Sequence, residues 1–215
     1  SAVVSPDGTN IAFVGHSTER KKQLWVRALD SDSPRPLDGT EDAVTPFWSP
    51  NSRSIAFFAA GKLKRIDAAG GPAQVLCDVL SPWGGAWGAD GTIVYCGGDF
   101  DPLSRVPDSG GKPVPATRLR PKEEAHRWPS FLPDGRHFVF AGDASLTEEH
   151  HLKLGSLDSM ESTDLVQAVS NVVYVAPGTV LFVRGGNLLA QHIDAKQLRL
   201  VGDPVAVAEH VLAVD

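Results

Sequence analysis

The chain has 215 residues, of which 42% are hydrophobic and 21% charged, a balance typical of a domain with a buried core. Its net charge of −6, with acids and bases interspersed, argues against the basic surface that nucleic-acid binding requires. No run approaches the roughly 18 consecutive apolar residues of a membrane helix, so we expect no direct membrane insertion by this segment.

A turn motif recurs along the chain, starting at positions 5, 49, 88, 132 and 176 with steps of 44, 39, 44 and 44 residues. A short apolar strand follows each turn. The copies of the turn are Ser5-Pro6-Asp7-Gly8, Ser49-Pro50-Asn51-Ser52, Gly88-Ala89-Asp90-Gly91, Leu132-Pro133-Asp134-Gly135 and the degenerate Ala176-Pro177-Gly178. A period near forty built from short strands is typical of β-propeller blades.

One repeat contains enough material for four strands. In the second copy, 45–48, 55–58, 63–67 and 73–76 are extended runs separated by Pro, Asn and Gly turns. The sequence therefore predicts an all-β fold, a β-propeller of four-stranded antiparallel blades, with about five blades. We expect a single propeller domain over 1–215, with blades near 1–39, 40–80, 81–122, 123–168 and 169–215.

Large aromatic residues occupy equivalent places in the first strands of three blades. These are Trp48, Trp87 and Phe131, with Val175 in the same place in the fifth blade. We interpret the aromatics as packing between neighbouring blades. The alternative is a platform on which a ligand stacks.

The repeated Ser-Pro-Asp-Gly turn before an Ile-Ala-Phe strand resembles the WD40-like PD40 repeat of TolB-like propellers, over the whole chain. The segments His126–Phe138 and Leu154–Asp158 resemble the propeller half of bacterial eukaryotic-type serine/threonine kinases. The resemblance implies a binding or sensing module on the extracytoplasmic side of the membrane, belonging to a longer protein. It also implies a six-bladed ring, of which about five blades are counted here.

The sequence carries no signature of catalysis. It lacks a G-x-S-x-G elbow and the kinase motifs, and Ser5, Ser49 and Ser130 lie at or beside turns. The acidic run Glu148-Glu149-His150-His151 lacks the H-E-x-x-H spacing of a zinc site. We therefore predict no enzyme, no metal site and no cofactor, with the accessory substrate-gating propeller of a serine peptidase as the alternative function.

The candidate binding residues are those in the linkers that enter the first strands, at 40–44, 81–85, 123–127 and 169–172. Trp83, His126 and Arg127 are the ones best suited to recognising a protein, peptide or small ligand at the channel rim. The alternatives are that Trp83 caps a blade and that His126 and Arg127 pair with Glu123 or Glu124.

Two further expectations concern the cysteines and the end blades. Cys77 and Cys96 both lie in apolar runs, which favours two buried thiols over a disulfide. The end blades carry apolar runs at 11–14 and 180–183 that an interrupted ring would leave uncovered. We therefore expect self-association through the end blades.

Overall fold

The computed structural model describes residues 1–16, 21–143, 150–168, 172–175 and 177–211, and only the backbone of Asp143 and His150. The regular secondary structure in these ranges consists of β-strands alone. The strands form five four-stranded antiparallel sheets. The predicted fold class is therefore confirmed, with one blade for each copy of the repeat. The same ranges contain no helix with the length and hydropathy needed to cross a bilayer.

In each blade the strands pair in chain order. Blade 1 contains β1 (Ala2–Val4), β2 (Asn10–His16), β3 (Lys22–Ala28) and β4 (Arg35–Pro36). Blade 2 contains β5 (Val44–Trp48), β6 (Ser54–Ala59), β7 (Lys62–Asp67) and β8 (Gln74–Asp78). Blade 3 contains β9 (Gly85–Trp87), β10 (Thr92–Cys96), β11 (Leu103–Pro107) and β12 (Val114–Pro115). Blade 4 contains β13 (Ala125–Phe131), β14 (His137–Asp143), β15 (His150–Ser156) and β16 (Ser159–Ala168). Blade 5 contains β17 (Val173–Val175), β18 (Thr179–Arg184), β19 (Asn187–Asp194) and β20 (Arg199–Glu209).

The recurring turn between the first two strands is held by a short-range network of hydrogen bonds. In blade 1, the Asn10 N–H donates to Ser5 Oγ at 2.9 Å, and the Ser5 hydroxyl donates to Asp7 Oδ1 at 2.6 Å. This bond from Ser5, together with those from Thr9, lowers the pKa of Asp7 to about 2. Ser49 makes the equivalent contacts in blade 2. Both serines therefore serve the turn, as predicted.

The blades are distributed over two compact units, which comprise 1–98 with 105–114 and 99–104 with 115–215. In the first unit, one apolar cluster joins blades 1 and 2 and another joins blades 2 and 3. In the second unit, a third cluster joins blades 4 and 5. The apolar residues of these strands are therefore buried between neighbouring sheets.

The aromatics that close the first strands take part in this packing. Trp48 and Trp87 are 7% and 8% exposed, and each belongs to a cluster with residues of the preceding blade. The Trp48 indole N–H also donates to the Val3 carbonyl at 3.0 Å. Phe131 is half-buried and meets Phe138 edge-on at 5.7 Å. The predicted packing role is confirmed for the two tryptophans.

The two cysteines are buried thiols, which excludes the disulfide alternative. Cys77 lies on β8 of blade 2, with its Sγ 3.3 Å from the Tyr95 hydroxyl on β10 of blade 3. Burial raises the pKa of both groups, and the hydrogen bond between them raises that of Tyr95 further. This pair therefore stays protonated at neutral pH and belongs to the junction between the two blades.

Candidate functional site

Trp83 lies in the linker between β8 and β9, in the first unit, and its side chain is half-buried. The linker is held by backbone bonds: the N–H groups of Leu80 and Ser81 each donate to the Gly97 carbonyl at 3.0 Å. The Trp83 N–H lies 3.4 Å from the Cys96 carbonyl. Trp83 therefore presents part of an indole from a linker whose backbone is bonded to Cys96 and Gly97. Leu80, in the same linker, is 93% exposed.

His126 and Arg127 lie in the second unit, on β13, and not in a linker before it. The strand begins at Ala125 because Ala125, His126 and Arg127 already pair with 141–143 of β14. His126 is 0% and Arg127 2% exposed. Neighbouring residues on a strand point to opposite faces, so the two side chains have different surroundings.

His126 is enclosed by three neighbours. Its Nδ1 lies 2.8 Å from Thr117 Oγ1, and its Nε2 lies 3.2 Å from Glu123 Oε2. Its ring meets Phe140 edge-on at 4.7 Å. The pairing with Glu123 that the sequence left open is therefore present for His126.

Arg127 points elsewhere and precedes an irregular stretch of β13. Its Nη2 donates to the Asp99 carbonyl at 2.7 Å.

The strand β13 bulges between Arg127 and Ser130, and Trp128 takes a φ of 50° there, just before Pro129. Blade 2 repeats the feature, with Thr45 at a φ of 43° before Pro46. Positive φ is rare and strained in non-glycine residues. A bulge bends its strand, so in both blades the first strand bends at the residue before the proline.

Glu123 connects His126 to a larger group of charges, which we call the Glu123 network: Arg120, Glu123, His126, Lys153 and Asp164. Lys153, on β15, is 2% exposed, and its Nζ lies 2.6 Å from Glu123 Oε1 and 2.5 Å from Asp164 Oδ1. The Arg120 N–H donates to Glu123 Oε2 at 2.7 Å, and the Arg120 guanidinium pairs with Asp164 at 3.0 Å. A buried ammonium therefore bridges two carboxylates.

The network keeps both carboxylates ionised. Burial alone would raise the pKa of Glu123, but the bonds from Lys153 and the Arg120 N–H outweigh it and lower the pKa overall. The pKa of Asp164 is lowered in the same way, with burial outweighed by Lys153 and Arg120. Paired charges of this kind satisfy the need of buried ions for partners.

Sequence reasoning missed Lys153, Arg120 and Asp164 as members of this cluster. The available signal was a lysine inside the apolar run Leu152-Lys153-Leu154 of β15, where a charge must find a partner. A second signal was the glycine at position 142, which packs against the Lys153 side chain. A Cβ built at Gly142 would lie 2.5 Å from Lys153 Cε. Any larger residue there would force the lysine stem to move.

The Glu123 network is suited to fixing structure and poorly suited to proton transfer. Both Glu123 carboxylate oxygens and both His126 ring nitrogens already have partners at hydrogen-bond distance. Among the residues that the structure describes, no group of three or more potential metal ligands occurs. Glu148, Glu149 and the side chain of His150 lie outside those residues.

Comparison with known proteins shows two kinds of similarity. No family model matches the chain. A curated protein from Bacillus subtilis (strain 168), the uncharacterized peptidase YuxL, is 23% identical over 195 aligned residues. The match covers 67% of this chain, which spans only 29% of that protein's length.

Solved structures extend the similarity over the whole chain. A putative TolB from Agrobacterium tumefaciens superposes with a TM-score of 0.71 at 16% identity, covering 98% of this chain and 82% of that one. This chain has a TolB-like β-propeller fold. A puromycin-hydrolyzing peptidase from Mycobacterium tuberculosis gives a TM-score of 0.69 at 15% identity, covering 99% of this chain and 37% of the peptidase. At these identities the likeness concerns the fold alone.

Proposed function

We propose that this chain is a non-catalytic binding or sensing module that recognises a protein, a peptide or a small ligand. The observation that carries the proposal is the saturation of the Glu123 network. A general base must exchange its partner for a substrate proton, whereas His126 is fully buried between Thr117, Glu123 and Phe140. The TolB-like fold does not separate this function from the second candidate below, because a peptidase shares the fold.

We also propose that the module belongs to a bacterial kinase or another signalling protein and works on the extracytoplasmic side. The support is the resemblance of the His126–Phe138 segment to the propeller half of such kinases. In this proposal the chain needs no cofactor, and its contribution to signalling is the binding event itself.

Trp83 is the residue that we propose for recognition, because it is half-buried, and so partly accessible, on a linker fixed by backbone bonds. A rigid aromatic side chain loses little entropy on binding, and central interface aromatics dominate affinity. His126 and Arg127 are too buried to touch a ligand, so in this proposal they hold the linker and strand behind the surface.

The test is a peptide-library screen on the purified chain, followed by affinity measurements with the best ligand. Trp83→Ala should weaken binding by on the order of 30-fold, the loss expected for a central aromatic. The control is Leu29→Ala, which removes another exposed apolar side chain. Sustained turnover of peptide or ATP by the chain, constant through repeated purification, would overturn the non-catalytic function.

A second candidate function is the accessory propeller of a serine peptidase, which controls access to a hydrolase domain elsewhere in the protein. The peptidase YuxL favours it, because this chain matches it over 29% of its length. In a full-length protein of this kind, deleting the propeller should preserve cleavage of short chromogenic peptides and admit longer polypeptides. Unchanged size selectivity after the deletion would exclude the gating role.

A further inference from the structure

The junction between blades 1 and 2 opens into a hollow where β3 and β7 end. Val26, on β3, belongs to the apolar cluster that fills this junction, and it also lines the hollow. Ala28 lines it from the same strand, and Ala68 and Ala69 line it from blade 2. The hollow measures about 370 Å³, a volume typical of sites that hold a small molecule. All of its lining residues belong to the first unit.

Arg35 is the one charged residue among the described residues that line the hollow. It pairs with Val26 across β3 and β4, so its side chain stands on the same face of the sheet as Val26. Its Nη2 donates to the Ala68 carbonyl, which fixes the guanidinium between the two blades. A guanidinium has five N–H groups, so most of them remain available to a ligand.

The carboxylates nearby in sequence are directed away from Arg35. Asp32 lies 3.8 Å from Arg27, whose side chain is on the opposite face of β3. Asp67 Oδ1 accepts a hydrogen bond from the Ala69 N–H at 2.7 Å. In the part of the chain that the structure describes, no carboxylate lies within ion-pair distance of Arg35. The hollow therefore carries a positive charge that no described side chain neutralises.

The other polar side chains that line the hollow can also donate hydrogen bonds. Ser31 and Ser33 lie in the loop between β3 and β4. The Ser33 N–H donates to Ser31 Oγ at 3.2 Å, which holds the Ser31 hydroxyl in place. Asn10, at the start of β2, adds a side-chain amide. A guanidinium, two hydroxyls and an amide are groups that suit an anion.

We propose that this hollow binds a small carboxylate with a short aliphatic body. The planar guanidinium of Arg35 donates to the carboxylate oxygens through its remaining N–H groups, and the serine hydroxyls donate to the other lone pairs. The side chains of Val26, Ala28 and Ala68 contact the aliphatic body, so the bound ligand removes apolar surface from water. Apolar walls with a few convergent polar groups are the usual construction of a small-molecule site.

The hollow is separate from the linker that carries Trp83. Strands β7 and β8 are antiparallel, so Ala68, just after β7, and the linker that follows β8 lie at opposite ends of blade 2. The inference therefore adds a small-ligand site to the recognition proposed for Trp83 and does not depend on it.

Isovalerate is a suitable probe, because it joins a carboxylate to a short branched chain, and isovaleramide is its neutral counterpart. In an NMR titration of the purified chain, isovalerate should shift the amide signals of Ser31, Ser33 and Ala69 along a saturable curve. Isovaleramide should bind more weakly by on the order of tenfold or more, because it lacks the charge that pairs with Arg35. Inorganic phosphate should also bind more weakly than isovalerate, because it has no aliphatic body to contact the apolar walls.

The variant Arg35→Gln should weaken isovalerate binding by on the order of 30-fold, the loss expected for a charge-assisted pair. The matched control is Arg27→Gln, which removes a guanidinium from the opposite face of β3 and should bind isovalerate as the wild type does. Ala28→Leu keeps Arg35 but fills the hollow, so it should abolish saturable binding. The NMR spectrum of each variant shows whether it is folded.

Three results would overturn the proposal. The first is the absence of saturable binding of isovalerate to the wild type, and the second is equal binding of isovalerate and either isovaleramide or phosphate. The third is a folded Arg35→Gln variant that binds isovalerate no more weakly than Arg27→Gln does.

Discussion

Replacing Lys153 with methionine removes the only cation that bridges Glu123 and Asp164 in the described structure while keeping most of the stem's volume. Removing one partner of a buried ion pair costs about 3–5 kcal/mol, because the other charge is stranded. Lys153 is 2% and the Glu123 side chain 13% exposed, so the lower end of that range applies. The Asp164 side chain is 48% exposed, and its share is at most about 1 kcal/mol.

We therefore expect Lys153→Met to lower the free energy of unfolding by about 3 kcal/mol, measured by urea denaturation followed by circular dichroism. Hydrogen exchange at β15 and β16 should show where protection is lost. The control is Arg118→Met, which breaks the Arg118–Glu161 pair at 3.1 Å, with side chains 62% and 68% exposed. That substitution should cost less than about 1 kcal/mol.

A second substitution separates the stranded charge from lost packing. Adding Glu123→Gln to Lys153→Met replaces the stranded carboxylate with a neutral amide of the same shape, so part of the lost stability should return. If Lys153→Met costs no more than Arg118→Met, the network contributes nothing beyond a surface ion pair. The physical account of the Glu123 network would then be wrong.

Two further predictions concern the packing of the blades and the effect of acid. Trp48→Ala and Trp87→Ala should each cost about 3–5 kcal/mol in the same urea assay, and a loss below about 1 kcal/mol would show that the residue is not part of the core. The pKa of Glu123 lies below its ordinary 4.5, so its stabilising contribution is complete above that pH and is lost as the pH falls through the lowered value. The urea midpoint should therefore fall in acid less steeply for Glu123→Gln than for the wild type, and equal slopes would contradict the assigned ionisation.

The features that sequence could predict are those encoded locally. The spacing of the turns places the blades, and the predicted third strand of the second repeat, at 63–67, matches β7 (Lys62–Asp67) to within one residue. The two hydrogen bonds of the Ser5 hydroxyl, from the Asn10 N–H and to Asp7 Oδ1, span five residues or fewer, so the motif itself carries them. Local patterns of this kind need no knowledge of which segments meet in space.

The Glu123 network shows what local patterns cannot supply. Lys153 lies 30 positions from Glu123, and Arg120 lies 44 from Asp164. Their contacts therefore depend on how the linker before β13 lies against β15 and β16 of the same blade. The same limit explains why the sequence alone predicts a linker at His126. It is pairing with Gly142 and its neighbours on β14 that makes His126 part of β13. The sequence showed a histidine beside acidic residues, but not that strand pairing would bury it.

The Cys77–Tyr95 contact makes the junction between blades 2 and 3 observable without any added label. A thiol that is buried and protonated does not react with a disulfide reagent until the surrounding structure opens. The rate at which Cys77 is modified in the native protein therefore measures how often these two sheets separate, and its urea dependence measures how much surface that opening exposes. Cys96 is also buried, on β10, and its modification in the same reaction reports on blade 3 itself. The two thiols therefore distinguish separation of blades 2 and 3 from unfolding of blade 3.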